Sequence, residues 1–101
     1  MTISLLAVAQ AELDEAYIWY ETQAHGLGDA FLAEALKAFR LIERHPQAWH
    51  PLTDGVRRCR LARFPYGVIY APEGSDILVL AIAHAHRAPV YWRDRMRNIG
   101  R

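Results

Sequence analysis

The chain has 101 residues, 52% of them hydrophobic and 23% charged, and a formal net charge of +1. That length accommodates one hydrophobic core and not two, and a composition free of low-complexity runs and blocks of like charge excludes a disordered chain. No stretch approaches the roughly 18–20 consecutive apolar residues of a membrane span, and Met1 to Leu6 carries neither a basic leader nor a following small-residue cleavage site. We therefore expect a cytoplasmic domain over residues 1–101 with no membrane partner.

Cys59 is the sole cysteine, which excludes an internal disulfide and a CxxC metal site and reads as a small apolar core residue. The charge is unevenly spread. Residues 1–50 hold three Lys/Arg (Lys37, Arg40, Arg44) against seven Asp/Glu, and residues 51–101 hold nine against four. An anionic partner, either nucleic acid or an acidic protein segment, would dock on the basic half.

In chain order, Ile3 to Leu6 is an apolar run suited to a strand. Leu13, Ala16, Tyr17, Tyr20 and Ala24 then recur at helical spacing, with Glu12, Asp14, Glu15 and Glu21 between them, so an amphipathic helix is expected to stop near Gly26. Asp29 is placed to cap a second helix with the stripe Phe31, Leu32, Ala35, Leu36, Phe39 and Ile42, ended by His45-Pro46. The short connection around Gly26-Leu27-Gly28 predicts an antiparallel helical hairpin.

From Val56 the period becomes two. Cys59 and Leu61 would face the core, and Arg58 and Arg60 the solvent. Pro65-Tyr66-Gly67 is expected to break this strand, Val68 to Ala71 to form a second, Pro72-Glu73-Gly74-Ser75 to turn, and Ile77 to Ala83 to form a third. Being apolar on both faces, the third strand belongs in the middle of the sheet with the hairpin over one side. Short turns predict an antiparallel meander. Pro89 would open a short helix carrying Tyr91, Trp92 and Met96, and the chain past Arg93 would fray. The order β-α-α-β-β-β defines an α+β fold: an N-terminal strand, an antiparallel helical hairpin packed on an antiparallel β-sheet, and a short C-terminal helix.

Four pieces in sequence resemble the RelE/ParE toxin superfamily. They are Ala11-Glu12-Leu13-Asp14-Glu15-Ala16 with Trp19-Tyr20-Glu21; Gly26-Leu27-Gly28 with Phe31; Arg57 to Arg60 leading to Arg63-Phe64-Pro65-Tyr66; and Ala83-His84 through Arg87 and Pro89 to Tyr91-Trp92. The resemblance implies the toxin of a type II toxin-antitoxin pair, held in a hetero-oligomer by a labile cognate antitoxin. It also implies two alternative activities. ParE-like members inhibit DNA gyrase without chemistry of their own, whereas RelE-like members cut messenger RNA in the ribosome, using the 2′-hydroxyl as nucleophile. A degenerate member would bind antitoxin only. Fold does not decide among these.

RNA cleavage needs a proton acceptor, a proton donor and cations that stabilise the phosphorane. Arg58, Arg60 and Arg87 supply cations, but arginine is a poor proton shuttle, and the sole lysine, Lys37, lies on the second helix. The catalytic set of a ribonuclease would therefore be His84, His86, Arg60, Arg87 and Tyr91, with Tyr66 as another aromatic partner. A binding toxin would instead use Arg57, Arg58, Arg60, Arg63, Tyr66, Arg87 and Trp92 as its contact face, since the arginine fork suits carboxylate and phosphate. His84 and His86 stand at strand spacing, but a third ligand is lacking, so no metal and no cofactor is expected. His84 can equally steady the turn before Pro89. Trp19, Tyr20 and Trp92 could stack on bases, although aromatics at helical spacing usually pack.

Overall fold

The computed structural model describes residues 2–53, 55–87 and 90–97. The order is β1 (Thr2–Leu5), α1 (Ala7–Gln23), α2 (Leu27–Arg44), β2 (His50–Thr53), β3 (Val56–Arg60), β4 (Tyr66–Glu73), β5 (Asp76–His84) and α3 (Arg93–Arg97). The fold is α+β, with five strands in the order β1-β5-β4-β3-β2.

The two helices run antiparallel, joined by residues 24–26. Tyr17 meets Asp29 through a 2.7 Å hydrogen bond, and Tyr20 stacks on Phe31 at 5.2 Å between centroids. Asp29 does not cap the second helix, which starts earlier, after Gly26 at φ 88°. The cap comes from the neighbouring helix instead. The Glu21 carboxylate accepts from the backbone N–H groups of Gly26 and Gly28, each at 2.9 Å, satisfying donors that a helix start leaves unpaired.

Strands β3 to β5 form the expected antiparallel meander, and β2 extends it antiparallel to β3. The remaining pairing is parallel: β1 lies beside β5 with Ile3 opposite Ile77, because two helices intervene and a crossover returns the chain in the same direction. Two boundaries also differ from expectation. β2 is an additional edge strand in which Pro51 is tolerated, and β4 already begins at Tyr66, so the break falls at residues 61–65. Tyr91 and Trp92 form the turn that precedes α3, and α3 gives residues 93–97 helical order where fraying was expected. Pro89 and residues 98–101 lie outside the described residues.

The sheet is covered on both faces. Under the hairpin, Leu13, Phe31, Ile42, Ile77, Val79 and Cys59 are buried in one core. On the opposite face Val56, Ile69, Ala71, Leu80 and Ala81 pack around Trp92. The face of β3 expected to point into solvent is thus apolar at Val56 and basic only further along, at Arg58 and Arg60.

Candidate functional site

Period-two alternation sends Arg58 and Arg60 to the face opposite the hairpin, where they are paired in register with Ile69 and Gly67 of β4. Gly67 leaves room for the arginine stem: a Cβ there would lie 3.1 Å from Cγ of Arg58. The two arginines line one pocket with Tyr66, His84, Arg87 and Tyr91, whose floor includes Ile69 and Trp92. Burial and the neighbouring Arg60 charge hold the Arg58 pKa below its usual value, and its Nε is buried without a hydrogen-bond partner. The ion pairs described are His25–Glu21, Arg63–Glu34 and Arg95–Glu12, and none of them engages Arg58, Arg60 or Arg87. The pocket therefore concentrates positive charge that none of these ion pairs neutralises.

Arg87 is held by an aromatic ring. Its guanidinium lies 3.9 Å from the Tyr91 ring centroid, and Arg95 approaches the same ring at 4.9 Å, a cation–π arrangement with two cations. Tyr91 donates its hydroxyl to Glu12 at 3.0 Å. Burial first, then the Glu12 carboxylate, pushes the phenol up to about 12. Glu12 also accepts from the Ile82 N–H at 3.0 Å and from both terminal nitrogens of Arg95 at 2.9 and 2.8 Å.

His84 stands on the hairpin face, opposite Tyr66 across the β4–β5 ladder, with the two rings 5.0 Å apart. Its Nδ1 accepts the backbone N–H of His86 at 3.0 Å, steadying the turn, and the two imidazoles lie 5.0 Å apart. The strand ends bring His84 to the rim of the arginine pocket, and the same rim opens on its other side into a groove walled by Glu12, Glu15, Ala16, Trp19 and Tyr20 of α1.

The candidate residues thus divide. Arg58, Arg60, Tyr66, His84, Arg87 and Tyr91 come together, with His86 against His84. Arg57 does not join them, because it points to the hairpin side and donates to the Trp49 carbonyl and Gln47 Oε1 at 2.8 and 2.9 Å. Arg63 is paired with Glu34 at 3.1 Å, which holds the Glu34 carboxyl below its usual pKa. Trp92, 2% exposed, is a core residue rather than a contact surface. Sequence reasoning missed Glu12 and Arg95, whose partners lie 83 residues apart; opposite charges in the two halves were the available signal, and it names no pair. Among the described residues no group of three His, Cys, Asp or Glu could hold a metal, and no helix is long and apolar enough to cross a membrane.

Residues 3–89 match the family described as the ParE toxin of type II toxin-antitoxin system, parDE. The chain belongs to the ParE toxin family. None of the curated proteins compared with it matches. Among solved structures, a chain of the chromosomal ParDE TA system from P. aeruginosa is similar, with a TM-score of 0.63 and 21% identity over 85% of this chain and 97% of that one. At that identity the likeness concerns the fold. Within the ParE family frame, the matched segment contains Arg58, Arg60 and Arg87, while Tyr91 and Arg95, which fix the network behind them, fall just beyond it.

Proposed function

We propose that residues 1–101 act as one cytoplasmic toxin domain that inhibits DNA gyrase by binding it, and that a cognate antitoxin neutralises the chain in a hetero-oligomer. The observation that carries this reading is a pocket lined by three arginines, with a single histidine, His84, at its rim. Tyr91 is committed to Glu12 and pushed up to about 12, and burial raises the Tyr66 pKa as well. No lysine lines the pocket. A positive, partly apolar surface suits recognition of an anionic partner, whereas general acid-base catalysis needs groups that exchange protons near the working pH.

Expression from a tightly repressed promoter should arrest growth, and the purified chain should abolish supercoiling by purified gyrase. Arrest with normal supercoiling would overturn the gyrase reading and point to ribosomal messenger RNA cleavage, the RelE-like alternative. That alternative draws on His84 beside Arg60 and Arg87 and requires the double variant His84→Ala/His86→Ala to lose toxicity. No arrest would mark a member that only binds antitoxin. Replacing Arg58, Arg60 and Arg87 together by Ala should reduce gyrase inhibition at least about tenfold, the scale of losing several charged contacts. Full inhibition by that variant would remove the pocket from the toxic surface.

A further inference from the structure

Helix α1 is apolar on two sides. Ala9, Leu13, Ala16 and Tyr20 are buried in the core beneath the hairpin. On the outer side Val8, Ala11, Glu15, Ile18 and Thr22 recur at helical spacing, with Trp19 beside them. Val8 is 43%, Ile18 62% and Trp19 56% exposed. A helix that is apolar all round is the pattern of one covered all round, and the chain itself covers only the inner side. The outer face carries little charge. Glu12 is held by Arg95, and Glu21 by the backbone N–H groups of Gly26 and Gly28, which leaves Glu15 as the acid that this face presents.

Beside the face runs a groove lined by Glu15 and Trp19 from α1 and by Arg87 from beyond the end of β5. Aromatic rings continue along it: Trp19 meets Tyr20 edge-on at 5.0 Å, Tyr20 meets Tyr66 at 6.1 Å, and Tyr66 meets His84 at 5.0 Å. Glu15 and Arg87 are both exposed, and neither enters an ion pair described. The groove thus holds both members of two contacts. One is an exposed indole with an aromatic surface that takes such a ring, and the other is a carboxylate with a guanidinium fork. A surface of that kind complements itself under a two-fold axis, where each contact is made twice. An occupant that is anionic along its length, nucleic acid included, is disfavoured by α1, which contains no Lys or Arg.

We infer that the free chain forms a two-fold homodimer through α1 and this groove, with Trp19 of each subunit on the aromatic surface of its partner and Glu15 of each against the partner's Arg87. The contact extends along the outer face of α1 and covers Val8 and Ile18. The dimer concerns the chain alone and does not rest on the toxin reading.

Sedimentation equilibrium of the full chain tests it. The mass should rise from 11.6 kDa to twice that value and stop there, with a Kd of about 10 µM or tighter, the weak end of what interfaces of ordinary size give. A monomer at about 100 µM overturns the dimer and leaves the face to a partner of another sequence, and growth beyond two copies overturns the two-fold closure. Trp19→Ser should weaken the dimer by about tenfold or more, since a large aromatic at the centre of an interface carries much of its energy. Glu15→Arg and Arg87→Glu should each do the same by facing like charges, and the double variant Glu15→Arg/Arg87→Glu should restore wild-type mass. Restoration excludes misfolding as the cause of the single losses; single variants that dimerise normally, or a double variant that stays monomeric while circular dichroism shows it folded, overturn the interface. Acrylamide quenching of the wild-type chain supplies a test without substitutions. Trp92 is 2% exposed and Trp49 half-buried, so Trp19 dominates the quenchable emission. Quenching should fall as concentration passes through the Kd, and dimerisation with unchanged quenching overturns the placement of Trp19 in the contact.

Discussion

Glu12 joins three parts of the chain through one carboxylate, accepting from the β5 backbone, from Tyr91 and from Arg95. Both ionic partners are largely shielded, with side chains 16% and 14% exposed, so removing the acid leaves a guanidinium and a backbone donor short of partners. Glu12→Ala should cost about 3 kcal/mol, the scale of breaking a shielded ion pair, and Glu12→Gln roughly half, since it keeps an acceptor. Urea unfolding reads both; a loss below about 1 kcal/mol for the alanine variant would mean that water substitutes freely for the carboxylate.

Tyr70 illustrates a different residue effect. It is fully buried, and its hydroxyl donates to the Pro46 carbonyl at 2.7 Å. Burial pushes its pKa up from 10.0 to about 12, and burial also raises the Cys59 thiol from 9.0 to about 11. Both groups are protonated when folded and titrate earlier when unfolded, so their stabilisation is complete below pH 9 and is lost as pH climbs from 9 to 12. Thermal melts across that range should show a falling Tm. Tyr70→Phe should lower stability by about 1 kcal/mol at neutral pH and soften the upper end of the alkaline fall; an unchanged alkaline slope would place the titration elsewhere.

At the scale of elements, the helical hairpin was legible because its apolar stripes are long and regular. Its tightest point is Gly28, where an added Cβ would lie 2.7 Å from the Tyr17 carbonyl oxygen and 2.9 Å from Glu21. One of those neighbours is backbone of α1, so relief requires the helices to separate. Gly28→Ala should therefore destabilise the fold by about 1–3 kcal/mol, as overpacking does, seen as a lower denaturant midpoint with α1 and α2 amides exchanging faster. A neutral substitution would show that the hairpin slides without loss.

Other elements were hidden for identifiable reasons. β2 has four residues including Pro51, too few for a period to show and with a residue that ordinarily argues against a strand. Tyr66 and Gly67 follow Pro65 and so read as a break, yet both are already paired with β5. The four residues of β1 carry no mark of parallel pairing; direction is set by the crossover through two helices. Of the candidate site, Arg58 and Arg60 were legible because alternation fixes which face a side chain occupies. Trp92 was not, since an aromatic near a chain end reads equally well as surface or as plug until the apolar face of β3 and β5 is seen to need a cover.

For the molecule as a whole, the acidic first half and the basic second half are joined where charges cross between them, at Glu12–Arg95 and Glu34–Arg63, and three of the other arginines, Arg58, Arg60 and Arg87, line the pocket. The turn at Tyr91 and Trp92 has two tasks in this arrangement. Tyr91 orients Arg87, and Trp92 closes the second core over Val56, Ile69 and Leu80. A sheet buried on both faces depends on that closure, because the hairpin covers only one of them. Trp92→Ala should cost about 3–5 kcal/mol, typical of truncating a buried large aromatic, against the roughly 5–15 kcal/mol that keeps a domain of this kind folded. The variant should stand near the margin of stability, with a sharply reduced urea midpoint and early exchange of β3 amides, while Trp92→Phe retains most of the loss. A shift of less than about 1 kcal/mol for the alanine variant would show that the C-terminal turn does not seal this face in solution.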